Sequence, residues 1–112
     1  VVVGVKDNPI LNDATMADAE DVGMHKVADN VITTGTDTVG LIPKECSREF
    51  LNFYSSVDFV VAKGMGYLET ISEFQSLRTA HAFLLRTKCG PVARFLGVGM
   101  GKNVAMLRDI HF

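Results

Sequence analysis

Residues 58–66 read DFVVAKGMG, and the rest of the chain orders itself around them. Phe59 to Ala62 is an unbroken apolar run with two adjacent valines, opened by Asp58 and closed by a lysine-glycine turn. That is how a strand covered on both faces is written, since alternation is lost when neither face meets water. Four further runs have the same character: VVVGV at 1–5, VADNVIT at 27–33, HAFLLRT at 81–87 and NVAMLR at 103–108. Amphipathic stretches lie between them. Thr15 paired with Asp18 has the form of a capping box and predicts a helix that runs to Val22 and stops at Gly23. Ser47 predicts a cap for REFLNFYSS, which puts Phe50, Leu51 and Tyr54 on one helical face. Pro91 suits the first position of a short helix ended by Gly97. Strand and helix in alternation predict an α/β fold, with a mainly parallel sheet and helices on both faces in an α/β/α, Rossmann-like arrangement. A single domain over 1–112 is expected.

Composition narrows the function. A hydrophobic share of 47% and a charged share of 21% belong to a globular protein, and no apolar run approaches a bilayer crossing. A formal net charge of -2, with lysines and arginines spread along the chain, gives no long-range attraction to nucleic acid or anionic lipid. Neither is expected as a partner. Cys46 and Cys89 have no paired spacing and read as reduced thiols, and VVVGV has no basic lead-in, so a cytoplasmic location is expected. The sequence opens inside a strand-like run without an initiator Met, which suggests a processed form or a piece of a larger protein, a trimmed disordered tail being the alternative.

In a parallel α/β sheet, ligands gather at the carboxyl ends of the strands, and the residues there are polar. They are Asn12-Asp13, Gly35-Thr36-Asp37, Lys63-Gly64-Met65-Gly66 and Thr87-Lys88-Cys89-Gly90. A glycine-rich turn opening a helix offers backbone N–H groups to a phosphate, Gly64 and Gly66 admit an oxyanion close to the backbone, and Lys63 adds a full charge. Asp13 or Asp37 could hold a hard divalent cation. Each signal also has an ordinary reading. Asn12-Asp13 before Thr15 fits turn chemistry, Lys63 a solvated strand end, Gly35 and Gly40 loop shaping, and Glu69 a favourable charge in the first turn of its helix. His25, His81 and His111 lack metal-ligand spacing and read as structural. GVGMGK at 97–102 satisfies no phosphate motif: Leu96 stands at the first glycine of a P-loop and Asn103 at its final hydroxyl, and the third glycine of a dinucleotide fingerprint would fall at Lys102.

Together, PILNDATMADA, GTDTVG, VDFVVAKGMGYLET and LLRTKCGPVARFLGV resemble the metal-dependent damage-control phosphatases, a family long catalogued as a domain of unknown function, one member of which was described as an acidic-residue methyltransferase. The likeness spans nearly the whole chain and keeps the family's order. It implies an α/β/α catalytic domain that hydrolyses small phosphorylated metabolites, sugar phosphates or damaged cofactor phosphates, with a divalent metal ion such as Mn, Mg, Ni or Co. It implies that Asp13 ligates the metal and that Lys63 contacts the phosphate; these are the expected catalytic residues, with Gly64, Gly66 and Asp37 beside Lys63 as the expected phosphate- and substrate-binding set. Thr15, not Asp13, then does the capping. Two departures stand out. Tyr67 occupies the position where the family usually has Asn, and the family's Asp-Asn pair of further metal ligands belongs to a strand earlier than VVVGV; Asp7-Asn8 and Asp29-Asn30 spell that pair in other contexts. The chain is therefore expected to be the C-terminal portion of a larger catalytic domain, associating with the N-terminal portion or with another copy. A non-catalytic phosphate-binding or assembly module is the alternative.

Overall fold

The computed structural model describes residues 1–71 and 79–109; His111 lies outside them. Among the described residues the strands are β1 (Val2–Val5), β2 (Asn30–Thr33), β3 (Phe59–Lys63), β4 (Ala80–Arg86) and β5 (Asn103–Asp109). The α-helices are α1 (Met16–Asp21), α2 (Arg48–Ser56), α3 (Met65–Thr70) and α4 (Gly90–Leu96). The chain is α/β, with mainly parallel pairing. It divides into two compact units, the first comprising Val1–Val39 and Pro43–Tyr54, the second Gly40–Ile42 and the described residues from Ser55 onward.

In the first unit β1 and β2 pair in parallel, from Val2 opposite Asn30 to Val5 opposite Thr33. The helix between them begins as its sequence predicts. Thr15 N–H donates to Asp18 Oδ2 at 2.8 Å and Asp18 N–H to Thr15 Oγ1 at 3.5 Å, which closes the capping box. Val22 caps the other end, and Gly23 follows with φ +70°, a conformation that glycine adopts without strain. Ser47 Oγ accepts from Phe50 N–H at 3.1 Å to start α2. Phe50 and Tyr54, one turn apart with ring centroids 5.6 Å from each other, are buried with Val5 and Ala19.

In the second unit β3 and β4 are parallel, with Phe59 opposite Ala80 and Lys63 opposite Leu84. β5 runs antiparallel to β4, from Arg86 opposite Asn103 to Ala80 opposite Asp109. The reversal follows from the connection. Thr87 N–H donates to Lys102 O at 2.9 Å and Gly101 N–H to Thr87 O at 2.7 Å, so β5 starts beside the residue on which β4 ended. The helix inside that connection starts at Gly90, one residue before Pro91, and ends at Gly97 with φ +69°. The GVGMGK segment is thus a turn; its partner is Thr87, whose buried hydroxyl donates to Gly99 O at 2.7 Å and accepts from Lys102 N–H at 2.9 Å. Glu69 belongs to the last turn of the six-residue α3, not its first, because the helix opens directly after Gly64.

Leu41, Ala62, Ile71, Phe83, Leu85, Val92 and Ala93 form the core of the second unit, and one row of the sheet, Val61, Ala82 and Leu107, ends in two exposed side chains. His81 is fully buried in this core, stacked on Phe83 with ring centroids 5.7 Å apart. Its Nδ1–H donates to Thr79 O at 2.7 Å, since a carbonyl can only accept. Burial pushes the imidazole below its ordinary range, and the Thr79 bond offsets only part of this. A depressed folded-state pKa stabilises the fold above the unfolded value, and that contribution is lost as pH falls. We expect stability, read as the urea midpoint, to be flat above about pH 7 and to decline below about pH 6.5, with that decline removed in His81→Phe. An identical profile in the variant would show that another group sets the dependence.

Candidate functional site

Lys6 continues β1 and organises the strand end of the first unit. Its N–H donates to Ala14 O at 2.9 Å and it bridges in parallel to Thr15, so residues 7–13 leave the strand and return to it as a closed loop. Asp13 N–H donates to Ile10 O at 3.0 Å, closing a turn in which Leu11 takes a left-handed φ of 49°. Asp13 therefore does serve the turn, through its backbone. The cap belongs to Thr15, and the Asp13 side chain is half-buried at the carboxyl end of β1.

The loop after β2 meets the same strand end. Thr34 N–H donates to Val5 O at 2.9 Å and Asp7 N–H to Thr36 O at 3.0 Å. Hydroxyls stitch the loop internally: Thr34 Oγ1 donates to Thr36 O at 3.1 Å, and Thr36 Oγ1 accepts from Thr38 N–H at 3.2 Å. Gly35 is required here, since a Cβ would stand 2.6 Å from Ser47 Cβ and 2.8 Å from its nitrogen, at a φ of +77°. Asp37 lies exposed on this loop.

Between these two loops lies a residue that reading the sequence did not single out. The Lys6 side chain is 1% exposed, and its Nζ donates to Thr38 O at 2.6 Å. Burial pushes its ammonium below the usual lysine range, while Asp13, then Cys46 and Asp37, favour the charged form. Asp13 and Asp37, both candidates from the sequence, thus act electrostatically on one buried cation. The available signal was position: Lys6 directly follows a strand whose carboxyl end also carries Asp13.

Lys63, in the second unit, is the exposed last residue of β3. Gly64 follows with φ +115°, its N–H donating to Leu84 O at 2.8 Å, and α3 begins at the next residue. Gly66 is in the first turn of α3, where its carbonyl accepts from Thr70 Oγ1 at 2.9 Å. Gly40 packs on this helix so closely that a Cβ would lie 2.4 Å from Thr70 Oγ1 and 2.5 Å from Gly66 O, and Leu41 N–H donates to Thr70 Oγ1 at 2.8 Å. Lys63, Gly64 and Gly66 are therefore held together by a braced strand-to-helix turn, with Tyr67 half-buried in the same helix.

A divalent ion is implied by the family likeness, and Asp13 offers the hard oxygen such an ion prefers. Among the described residues, no three or more His, Cys, Asp or Glu side chains converge in a group able to hold a metal. The described residues thus supply no complete metal site of their own. A depression of about 470 Å³ lined by Met16, Ala19, Glu20, His25, Asn30 and Val31 lies toward the opposite, amino end of β2, and includes none of the site residues expected from the sequence. Both cysteines are reduced, and no helix among the described residues is long and apolar enough to cross a membrane.

Residues 1–104 match the damage-control phosphatase ARMT1-like domain. The chain is 43% identical over 106 residues to a damage-control phosphatase of Pyrococcus horikoshii, covering 95% of this chain and 36% of that protein. It is 42% identical over 101 residues to a damage-control phosphatase of Archaeoglobus fulgidus, covering 90% and 34%, and 44% identical over 109 residues to an uncharacterized protein of Methanocaldococcus jannaschii, covering 96% and 36%. The crystal structure of a DUF89 family protein from Pyrococcus horikoshii superposes with a TM-score of 0.82 at 43% identity, over 94% of this chain and 36% of that one. The chain thus spans about a third of the length of these relatives. It belongs to the damage-control phosphatase ARMT1-like domain family.

Proposed function

We propose that this chain is the C-terminal portion of a larger cytoplasmic phosphatase domain that hydrolyses small phosphorylated metabolites, and that it supplies Asp13 and Lys63 to the reaction. The observation that carries this reading is the division of labour around Asp13: its backbone closes the turn and Thr15 caps the helix, which leaves the carboxylate to ligate. Asp13 would hold one divalent ion, Mn, Mg, Ni or Co, together with ligands from the rest of the protein. When bound, such an ion polarises the bond to phosphorus and activates a water. Lys63 places an exposed ammonium at the end of β3 to neutralise phosphoryl oxygens. Gly64 and Gly66 keep the adjoining backbone clear of side chains, and Asp37 is assigned to polar groups of the substrate. A non-catalytic phosphate-binding or assembly module is the second reading, favoured by the want of a three-ligand cluster among the described residues.

In the longer polypeptide, Asp13→Asn should lower manganese affinity at least about tenfold, since it keeps the shape and removes the charge. Unchanged affinity by titration would return Asp13 to its turn role. Lys63→Ala should weaken inhibition by inorganic phosphate roughly tenfold, the loss of about one charge-assisted hydrogen bond, with the fold intact by circular dichroism. Equal inhibition would remove Lys63 from the site. The isolated chain should show no appreciable metal-dependent phosphatase activity, because one carboxylate leaves most of the coordination sphere to water; robust turnover by a monodisperse monomer would sink the fragment reading.

A further inference from the structure

We propose that Lys6 is a positioning residue for Asp13 and Asp37: its backbone holds the return of the loop that carries Asp13 and its buried side chain holds the loop that carries Asp37, so that the Asp13 carboxylate is set for metal before any metal binds. The link to metal rests on the proposed role of Asp13; the tie between the loops does not.

The geometry has three parts. The backbone of Lys6 holds the return of the first loop, through its bond to Ala14 O at 2.9 Å. Its neighbours hold the second loop, through Thr34 N–H to Val5 O at 2.9 Å and Asp7 N–H to Thr36 O at 3.0 Å. The side chain then reaches the second loop itself, at Thr38 O, 2.6 Å away and across 32 positions of sequence. A methionine would fill much the same volume with no charge to bury, so the ammonium must be answered by its surroundings. The answer is the Thr38 carbonyl, with Asp13, Cys46 and Asp37 favouring the charged form. The converse also holds. Without the ammonium, Thr38 O loses its donor and the two loop carboxylates lose a favourable positive charge.

With 1% of its side chain exposed, Lys6 is shut away from substrate, so it acts through the loops rather than on the phosphoryl group. A fixed cation beside a metal-ligating carboxylate also weakens the pull on a dication. Its net effect is favourable only if orientation outweighs repulsion, and that is the content of the proposal.

Lys6→Met tests it in two arms. Hydrogen exchange on the chain as it stands should show the Asp7 and Thr34 amides exchanging at least about tenfold faster, with the Gly64 amide of the second unit unchanged. Equal acceleration in both units, or none in either, would overturn the tie. In the longer polypeptide, manganese affinity should fall about tenfold while turnover recovers at saturating manganese. Unchanged or tighter manganese binding would overturn the positioning role. Lys6→Leu, which likewise removes both the donor and the charge, replaces Lys6→Met in both arms if the methionine variant does not fold, with the same outcomes decisive. An Asp13→Asn control that leaves manganese affinity unchanged would refute the ligand assignment, while the exchange arm still decides whether Lys6 holds the loops.

Discussion

An ammonium group taken out of water must be met by oxygen, or the fold carries its desolvation cost unopposed. Lys6 imposes that condition on the first unit. Its side chain is closed off from solvent, so the loop after β2 brings the Thr38 carbonyl to it, while Asp13 and Asp37 on the two loops favour its charged form. The threonine ladder at 34–38 and the approach of Ser47 to Gly35 shape the second loop so that Thr38 O arrives at Nζ. What looks in sequence like two unrelated polar turns is one hydrogen-bonded strand end. The second unit meets a different requirement, close packing, with Gly40 against the first turn of α3 and Leu41 N–H bonded to Thr70. That bracing steadies the turn carrying Lys63.

The readable parts of the fold are those whose cause is local. A capping box needs only Thr15 and Asp18 three residues apart, and α2 needs only Ser47 and the spacing of Phe50 and Tyr54; each is present as read. All five apolar runs are strands. The direction of β5 was not legible, because it depends on a contact between the first residue after β4 and the last before β5, Thr87 with Lys102. The reading of Glu69 failed for a related reason: it needed the start of α3, which is fixed by Gly64 in its positive φ rather than by helix propensity. Lys6 was invisible because a lysine after an apolar run is ordinarily a solvated end, and nothing nearby in sequence announces a partner 32 residues away.

The family and the geometry divide the functional question between them. Membership is what directs the proposed function toward phosphatase chemistry, and the chain spans only about a third of its relatives' length. The structure adds where each candidate stands: Asp13 half-buried on the loop that returns to the end of β1, and Lys63 exposed at the end of β3 with a glycine behind it. Among the described residues no three or more His, Cys, Asp or Glu side chains converge to hold a metal, and the proposed function therefore draws the remaining ligands from outside this chain.

The central claim is that Asp13, set in place by the loops around Lys6, is a metal ligand. Anomalous diffraction at the manganese edge on crystals of the longer polypeptide soaked in manganese tests it directly. The account predicts an anomalous peak about 2 Å from an Asp13 carboxylate oxygen, as for hard octahedral ions, with that peak lost in Asp13→Asn. A fully occupied manganese coordinated by other residues, with Asp13 outside its ligand shell, would contradict it.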